Sequence, residues 1–271
     1  KTVLETREML KMFLQDWDFD GLKMDGMHLN CVPPDFNPQH DLSYPEQACE
    51  QLPDFFKMIY GTARSFKPNA VLQICPCGDA MSFYNMPWTN QTVASDPVSS
   101  WQIRTKAKVY KALLGKTAYY GDHVELSDGG DDFASQFGVG AVLGTKFTWP
   151  KDNPRATEGQ FLLTPVKEET WKKWIRLYNQ KMLSKENYLG TLYDIGYDKP
   201  EAHVIQKADT LFYSFFSSDW QGNIELRGLE KGKYKLYDFV NGKDLGTVDG
   251  TKPILNISFQ KYLLLEAIKL K

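Results

Sequence analysis

The sequence has few cysteines and no long apolar run. Its four cysteines, Cys31, Cys49, Cys75 and Cys77, include no CxxC pair, which argues against a disulfide scaffold and a zinc ribbon. No apolar run approaches the roughly 20 residues that a membrane-spanning helix needs, and the first residues lack the pattern of a signal peptide. We therefore expect a soluble protein. The compartment, periplasmic or secreted among the options, is left open by these features.

The chain also lacks an excess of charge of one sign. Its 32 basic and 34 acidic residues are interspersed and leave a formal net charge of −2. Neither a nucleic-acid backbone nor an anionic membrane is an obvious partner for such a surface. The hydrophobic content of 42% and the aromatic content of 14% are typical of a globular protein with a substantial core. A neutral substrate fits this composition better than a charged polymer.

What the chain does have, over its first 150 residues, is an alternation of short apolar runs with helical patterns. This alternation is typical of consecutive βα units and a parallel sheet. Strands are predicted at 19–25, 70–75, 92–95, 118–120 and 145–149. Helices are predicted at 44–66, 101–114, 131–143 and 168–183.

After Gly190 the hydrophobic pattern changes to a period of two. Strands are predicted at 203–206, 211–216, 223–226, 234–240, 255–259 and 262–268. Asn241-Gly242 is a strong hairpin signal, because both residues tolerate a positive φ. We therefore predict two domains, an α/β domain at 1–187 and an antiparallel β-sandwich domain at 188–271.

Two aspartates stand at the ends of predicted strands. Asp25 ends the first strand, where alternation puts Lys23 on the same side, and Asp96 directly follows the strand at 92–95. Taken alone, each aspartate is more often a turn or helix-capping residue. Catalytic groups of a barrel collect at the carboxyl ends of its strands, and retaining glycosidases use two carboxyl groups about 5 to 5.5 Å apart. The pair therefore predicts a glycosidase site.

These motifs resemble those of the melibiase-type α-galactosidases, glycoside hydrolase family 36, and more distantly those of the other retaining α-glycosidases of the same clan. The run Leu22-Lys23-Met24-Asp25 is similar to the family's nucleophile motif on the fourth barrel strand. Ser95-Asp96 is similar to its acid/base motif on the sixth strand, with Arg104 near the family's downstream arginine. The resemblance covers roughly residues 15 to 150.

The resemblance implies a (β/α)8 TIM barrel, of which this chain has strands 4 to 8, followed by a β-sandwich. Half a barrel leaves an open sheet edge, so we expect a piece of a longer protein whose N-terminal barrel segment covers that edge. The family's glycine-rich loop after strand five is replaced here by Cys75-Pro76-Cys77-Gly78-Asp79, which leaves the sugar specificity open. The oligomeric state is open too, with a homo-oligomer as one option.

The implied activity is retaining cleavage of terminal α-galactosides, with Asp25 as the nucleophile and Asp96 as the acid/base. This chemistry requires no metal and no organic cofactor. Two alternatives remain: the same machinery acting on another α-glycoside, such as an α-glucoside or an α-N-acetylgalactosaminide, and a non-catalytic carbohydrate-binding fragment. The candidates for substrate binding are Lys23, His28, Asn30, Cys75, Gly78, Asp79, Trp88 and Arg104.

For most of the binding candidates the residue type also has an ordinary structural explanation. Loop polarity accounts for His28 and Asn30, and a buried thiol for Cys75. A tryptophan such as Trp88 is more often part of the core than a platform for a sugar ring. Arg104 fits a supporting role behind Asp96 as well as a direct contact with substrate.

Overall fold

The computed structural model describes residues 2–26, 32–79, 81–148, 159 and 161–270. The chain forms two compact units, Lys1–Asp96 and Pro97–Lys271. The antiparallel sheet of the second unit begins at Asn187, next to the predicted domain boundary, which stays a prediction. In the described ranges, no helix combines the length and the apolar character that crossing a membrane would require.

The first unit contains a parallel sheet of three strands in chain order. The strands are β1 (Gly21–Asp25), β2 (Val71–Cys75) and β3 (Gln91–Val93). The register of β1 and β2 sets Asp25 opposite Cys75, so both strands end at one level. The helices are α1 (Thr2–Lys11), continued by a π-helical turn at Met12–Asp16, then α2 (Gln47–Glu50) and α3 (Leu52–Phe66), with a 3₁₀ segment at Phe83–Trp88.

Helix α3 shows why the predicted helix at 44–66 is divided. Pro53 lacks a backbone N–H, and a proline is tolerated in the first turn of a helix but not in its interior. The chain therefore ends α2 at Glu50 and begins α3 at Leu52, so that Pro53 lies in the first turn. The apolar face of α3 buries Phe56 and Ile59.

The second unit begins with a helix whose two ends are set by local sequence. Ser99 accepts the N–H of Gln102 at the start of α4 (Ser100–Leu114), and Gly115 ends it with a φ of +58°. The strands β4 (Ala118–Tyr120) and β5 (Ala141–Val142) pair in parallel. The remaining helices are α5 (Phe133–Gly138) and α6 (Pro165–Lys181), with 3₁₀ segments at Val124–Leu126 and Asp128–Gly130.

The helix predicted at 131–143 is wrong in extent, and the strand predicted at 145–149 is wrong in position, with its residue 149 outside the described residues. Helix α5 ends at Gly138, and β5 takes up Ala141–Val142. Gly140 has a φ of +66°, and a Cβ at this position would lie 2.8 Å from Ile205 Cδ1. A left-handed glycine in a tight contact ends a helix, whereas the apolar pattern alone runs on through it.

The rest of the second unit is an antiparallel sheet of six strands in the order β10-β9-β11-β8-β7-β6. The Asn241-Gly242 turn is confirmed, since it joins β9 to β10 and Gly242 has a φ of +68°. Strand β10 was not predicted, and β8 and β11 each replace two predicted shorter strands. The bounds are β6 Asn187–Tyr188, β7 Glu201–Lys207, β8 Thr210–Glu225, β9 Lys233–Asp238, β10 Lys243–Asp249 and β11 Ile254–Lys269.

Strand β8 curls back on itself, as a sandwich requires. The Tyr213 hydroxyl donates a hydrogen bond of 2.8 Å to the Arg227 carbonyl, 14 residues further along the chain. A straight strand of that length spans about 46 Å, far beyond the reach of a tyrosine. Both ends of β8 thus pack over one apolar core. This core includes Val204, Leu211, Tyr213, Phe215, Ile224, Leu226, Leu236, Leu263 and Leu265.

Candidate active site

The end of β1 carries a cation and a carboxylate on one side. Lys23 Nζ lies 3.8 Å from Asp25 Oδ2, and the two side chains are 28% and 47% exposed. Both residues precede Gly26, whose N–H donates to the Cys75 carbonyl of β2. The sheet therefore fixes the backbone of Asp25, while its carboxylate stays accessible to a substrate.

The turn after β2 brings a thiol to that carboxylate. Cys77 adopts a left-handed backbone with a φ of +48°, and its Sγ donates to Asp25 Oδ1 over 2.9 Å. This hydrogen bond raises the pKa of Cys77 to about 11, assisted by burial and by the charges of Asp25, Cys75 and Asp96. The thiol is therefore protonated at neutral pH and acts as a hydrogen-bond donor rather than a thiolate.

The end of β3 has two successive residues in the left-handed region. Ser95 has a φ of +54° and Asp96 a φ of +41°. This conformation is costly for residues other than glycine and is concentrated at functional sites. The buried Ser95 hydroxyl accepts the Gly78 N–H over 2.8 Å and lies 3.8 Å from Cys75 Sγ. Ser95 thus ties the turn after β2 to the residue that precedes Asp96.

The structure brings seven of these residues into one group, which we call the strand-end cluster. Because electrostatic effects fall with distance, the influence of both Asp25 and Asp96 on the Cys77 thiol indicates that both carboxyl groups lie near it. Their predicted separation of about 5 to 5.5 Å stays a prediction. The members of the cluster are Lys23, Asp25, Cys75, Cys77, Gly78, Ser95 and Asp96.

The remaining candidates of the first unit have different settings. Asp79 is exposed just after Gly78, and the half-buried Trp88 has Lys57 Nζ 5.4 Å from its ring centroid. His28 and Asn30 lie outside the described residues. The binding roles of all four residues stay predictions.

Arg104, on α4 of the second unit, is almost fully engaged by protein groups. Its Nε and one terminal nitrogen donate to the Glu201 carboxylate over 2.6 and 3.0 Å, and the other terminal nitrogen donates to Ser135 Oγ. The guanidinium also lies 4.3 Å from the centroid of the Phe216 ring. Burial opposes ionisation of Glu201, but hydrogen bonds from His203 and Arg104 outweigh it and hold its pKa at about 2. Substrate binding by Arg104 stays a prediction beside this structural role.

Sequence reasoning missed Cys77 and Ser95 as members of the site. The only signal was their position, since Cys77 lies two residues beyond a predicted strand and Ser95 is the last residue of another. Their left-handed backbones, which turn the thiol toward Asp25 and the hydroxyl toward Gly78, were not visible in the pattern.

No family model matches the chain. In sequence it is 30% identical over 268 residues, 95% of its length, to an A type blood α-D-galactosamine galactosaminidase of Flavonifractor plautii, and it spans 23% of that relative. In fold it is similar to a family 27 β-L-arabinopyranosidase of Geobacillus stearothermophilus, with a TM-score of 0.62, 13% identity and coverage of 99% of this chain and 62% of that one. It is also similar to a family 36 α-galactosidase of the same organism, with a TM-score of 0.65, 14% identity and coverage of 98% and 38%.

These comparisons confirm the predicted fold class and the predicted resemblance. The galactosaminidase is a relative in sequence, and the α-galactosidase of family 36 shares the fold over nearly all of this chain. The parallel α/β part followed by an antiparallel sheet is therefore the C-terminal part of a TIM barrel with its β-sandwich. At 14% identity the structural likeness concerns the fold alone.

Proposed function

We propose that this chain carries the two catalytic aspartates of a retaining glycoside hydrolase that cleaves terminal α-galactosides. The observation that supports it most is the Cys77 thiol, which bonds to Asp25 and is influenced by the charge of Asp96. Two carboxyl groups at the ends of barrel strands, here β1 and β3 with β2 between them, are the arrangement that glycoside hydrolysis needs. The relative in sequence is named for a sugar of the galactose series, and one structural neighbour is an α-galactosidase.

In the proposed first step, an Asp25 carboxylate oxygen attacks the anomeric carbon while the bond to the leaving oxygen breaks. Asp96 gives its proton to that oxygen, so the aglycone leaves as an alcohol and a glycosyl ester of Asp25 remains. In the second step Asp96 takes a proton from water, and the hydroxide displaces Asp25 from the anomeric carbon. Two inversions retain the configuration.

The surroundings of Asp25 suit a nucleophile that must be ionised. Lys23 Nζ lies 3.8 Å from one carboxylate oxygen, and Cys77 donates to the other. A neighbouring cation and a hydrogen-bond donor both favour the charged form of a carboxyl group. Asp25 is also accessible enough to reach a sugar, since its side chain is 47% exposed.

The test is hydrolysis of an aryl α-galactoside by the complete protein with Asp25→Ala or Asp96→Ala. Each change should lower kcat by about a hundredfold or more, because a nucleophile or a general acid is lost. Asp54→Asn, on the exposed side of α3, is the matched control and should keep full activity. The released sugar, observed by NMR before mutarotation, should be the α-anomer. Unchanged turnover by Asp25→Ala, or a β-anomer from the unaltered enzyme, would reject the proposal.

The name of the relative in sequence favours one alternative substrate, an α-galactosaminide. The same two carboxyl groups serve either sugar, because the reaction takes place at the anomeric carbon and the sugars differ at a ring substituent. Comparing kcat/KM for aryl α-galactoside, α-galactosaminide, α-N-acetylgalactosaminide and α-glucoside decides between them. Absence of hydrolysis with all four, together with retained binding, would favour the non-catalytic alternative.

The proposal includes the first three barrel strands as a structural partner. In the described residues β1 pairs with β2 alone, which leaves one edge of the sheet without a strand. An open edge of a parallel sheet exposes backbone donors and acceptors that a neighbouring strand satisfies. We expect the 271-residue chain by itself to have little activity compared with a protein that also carries those strands. Equal kcat/KM for the two would contradict this part.

A further inference from the structure

A cleft of about 800 Å³ lies within the second unit. Its walls are the helices α4, α5 and α6 on one side and the strands β7, β8 and β11 on the other. The volume falls in the range of about 300 to 1,000 Å³ typical of sites for small molecules. We call it the bulge cleft, after the irregularity in the sheet that forms its rim.

The rim is formed where β8 and β11 change register. Gln260 pairs with Asp219 and Lys261 pairs with Ser217, so that Ser218 is an extra residue on β8. Lys261 adopts a left-handed backbone with a φ of +65°. Bulges of this kind are found next to binding and active sites, where they redirect side chains. Residues around this bulge that line the cleft are Ser217, Ser218, Trp220, Lys261 and Tyr262.

Two half-buried aromatic residues, Trp220 and Tyr262, line the cleft. The Trp220 Nε1 is buried and has no hydrogen-bond partner in the part of the chain that the structure describes. This nitrogen has almost no accessible surface, so Trp220 offers the cleft an apolar ring rather than a hydrogen-bond donor. Burial, followed by the charges of Asp132, Asp238 and Asp131, raises the pKa of Tyr262, so its hydroxyl stays neutral and able to donate.

The charged groups of the cleft are mixed in sign and partly unpaired. Asp128 and Asp131, and likewise Lys199 and Lys261, have no ion-pair partner among the described residues. A phosphorylated ligand would meet the two carboxylates, and a polycation would meet the two amines. Carboxylates that accept and amines that donate, beside aromatic rings, suit a neutral ligand with many hydroxyl groups.

We propose that the bulge cleft binds a neutral pyranose unit, as a second saccharide site that takes no part in the chemistry. Trp220 and Tyr262 supply the apolar contact, the Tyr262 hydroxyl supplies a hydrogen-bond donor, and Asp131 and Lys261 bond to the sugar hydroxyls. The cleft alone specifies a neutral polyhydroxylated ring, whereas its assignment to a saccharide rests on the proposed function. Such a site holds a glycan to the protein when its terminal sugar is absent from the strand-end cluster.

The test uses the complete protein with Asp25→Asn, so that sugar is not consumed, labelled with 5-fluorotryptophan. Titration with raffinose, an α-galactoside, is followed by ¹⁹F NMR, and the Trp220 signal is assigned with Trp220→Phe. That signal should shift to saturation, while the signal of Trp17, exposed in the first unit, should not move. Asp131→Asn should raise the raffinose concentration at half-saturation of this shift by about tenfold, since a hydrogen bond to a charged group is removed. Asp131→Asn alone should leave the hydrolysis of a small aryl α-galactoside unchanged.

A Trp220 signal that does not move at saturating raffinose overturns the inference, as does a shift that neither Asp131→Asn nor Tyr262→Phe weakens. If Trp220→Phe does not fold, Ser218→Ala, an exposed neighbour, identifies the signal instead. The proposed function fails separately. If the protein does not hydrolyse any α-glycoside but shows the saturable Trp220 shift, the catalytic assignment is rejected while the saccharide site in the bulge cleft is supported.

Discussion

The Cys77 thiol donates a hydrogen bond to Asp25 Oδ1 over 2.9 Å, from a residue with a left-handed backbone. A thiol that is held at a carboxylate and has a pKa of about 11 stays protonated, and so remains a donor, at neutral pH. It therefore favours the ionised form of Asp25 without carrying a charge of its own.

Replacing Cys77 tests this donor. We expect Cys77→Ala to lower kcat/KM for an aryl α-galactoside by about tenfold or more, as the loss of a hydrogen bond to a charged group does. The acidic limb of the pH–rate profile should move to higher pH, because the carboxylate loses stabilisation of its charged form. Cys77→Ser should keep most of the activity, and Cys49→Ala on α2 is the matched cysteine control. Superimposable profiles for Cys77→Ala and the unaltered protein would refute the role.

The Ser95 hydroxyl accepts the Gly78 N–H, and Ser95 itself has a φ of +54°. Ser95→Ala should lower the free energy of unfolding in urea by about 1 kcal/mol, since this hydrogen bond is lost. Ser95→Gly loses the same bond but relieves the left-handed strain, so it should be about 1 kcal/mol more stable than Ser95→Ala. Equal stability of the alanine and glycine variants would show that the backbone at 95 is not strained.

Breaking the Arg104–Glu201 pair should destabilise the protein strongly. Either Arg104→Met or Glu201→Met leaves an uncompensated charge in a buried place, which costs about 3 to 5 kcal/mol. The double variant should cost much less than the sum, as a double-mutant cycle of urea denaturation measures. If Arg104 also contacts substrate, KM for an aryl α-galactoside stays raised in the folded double variant. A KM equal to that of the unaltered protein would assign Arg104 to structure alone.

Burial lowers the pKa of Lys111 on α4 to about 8, and the side chain reaches the Ser184 carbonyl only at 3.4 Å. The unfolded lysine keeps a pKa of about 10.4, so between pH 8 and 10 the unfolded state binds more protons. The free energy of unfolding should therefore rise with pH across this window, by at most about 3 kcal/mol.

Lys111→Met should be more stable than the unaltered protein at pH 7 and should lose this rise, as urea denaturation at pH 7 and pH 9.5 measures. Lys116→Met, at an exposed position, is the control and should keep the rise. A rise that persists in Lys111→Met would assign the pH dependence to another group.

The strands that end at the cluster were predictable, and the turns beyond them were not. The predicted strands at 19–25 and 70–75 agree with β1 and β2 to within two residues at either end. The first of them ends at Asp25, as β1 does. The positions of Cys77 and Ser95 depend on left-handed residues that are not glycines. Such backbones are held in place by surrounding tertiary contacts, which no local pattern expresses.

The division of β8 into two predicted strands has a physical origin. Before the bulge the residues in the apolar core are odd-numbered, such as Leu211 and Tyr213, and after it they are even-numbered, such as Ile224. Alternation is the signal by which a strand is recognised, and here it changes phase in the middle of the strand. Sequence reasoning therefore ended one strand and began another.

Strand β11 keeps a single parity along its whole length, from Leu255 through Leu265, while β8 changes parity at Ser218. Deleting Ser218 would turn the second half of β8 inside out, since Ile224 and its core-facing neighbours would exchange places with polar ones. Substituting Ser218 would leave the same residues of β8 facing the apolar core. This part of the sheet therefore tolerates a new side chain at position 218 but not a chain shortened by one residue.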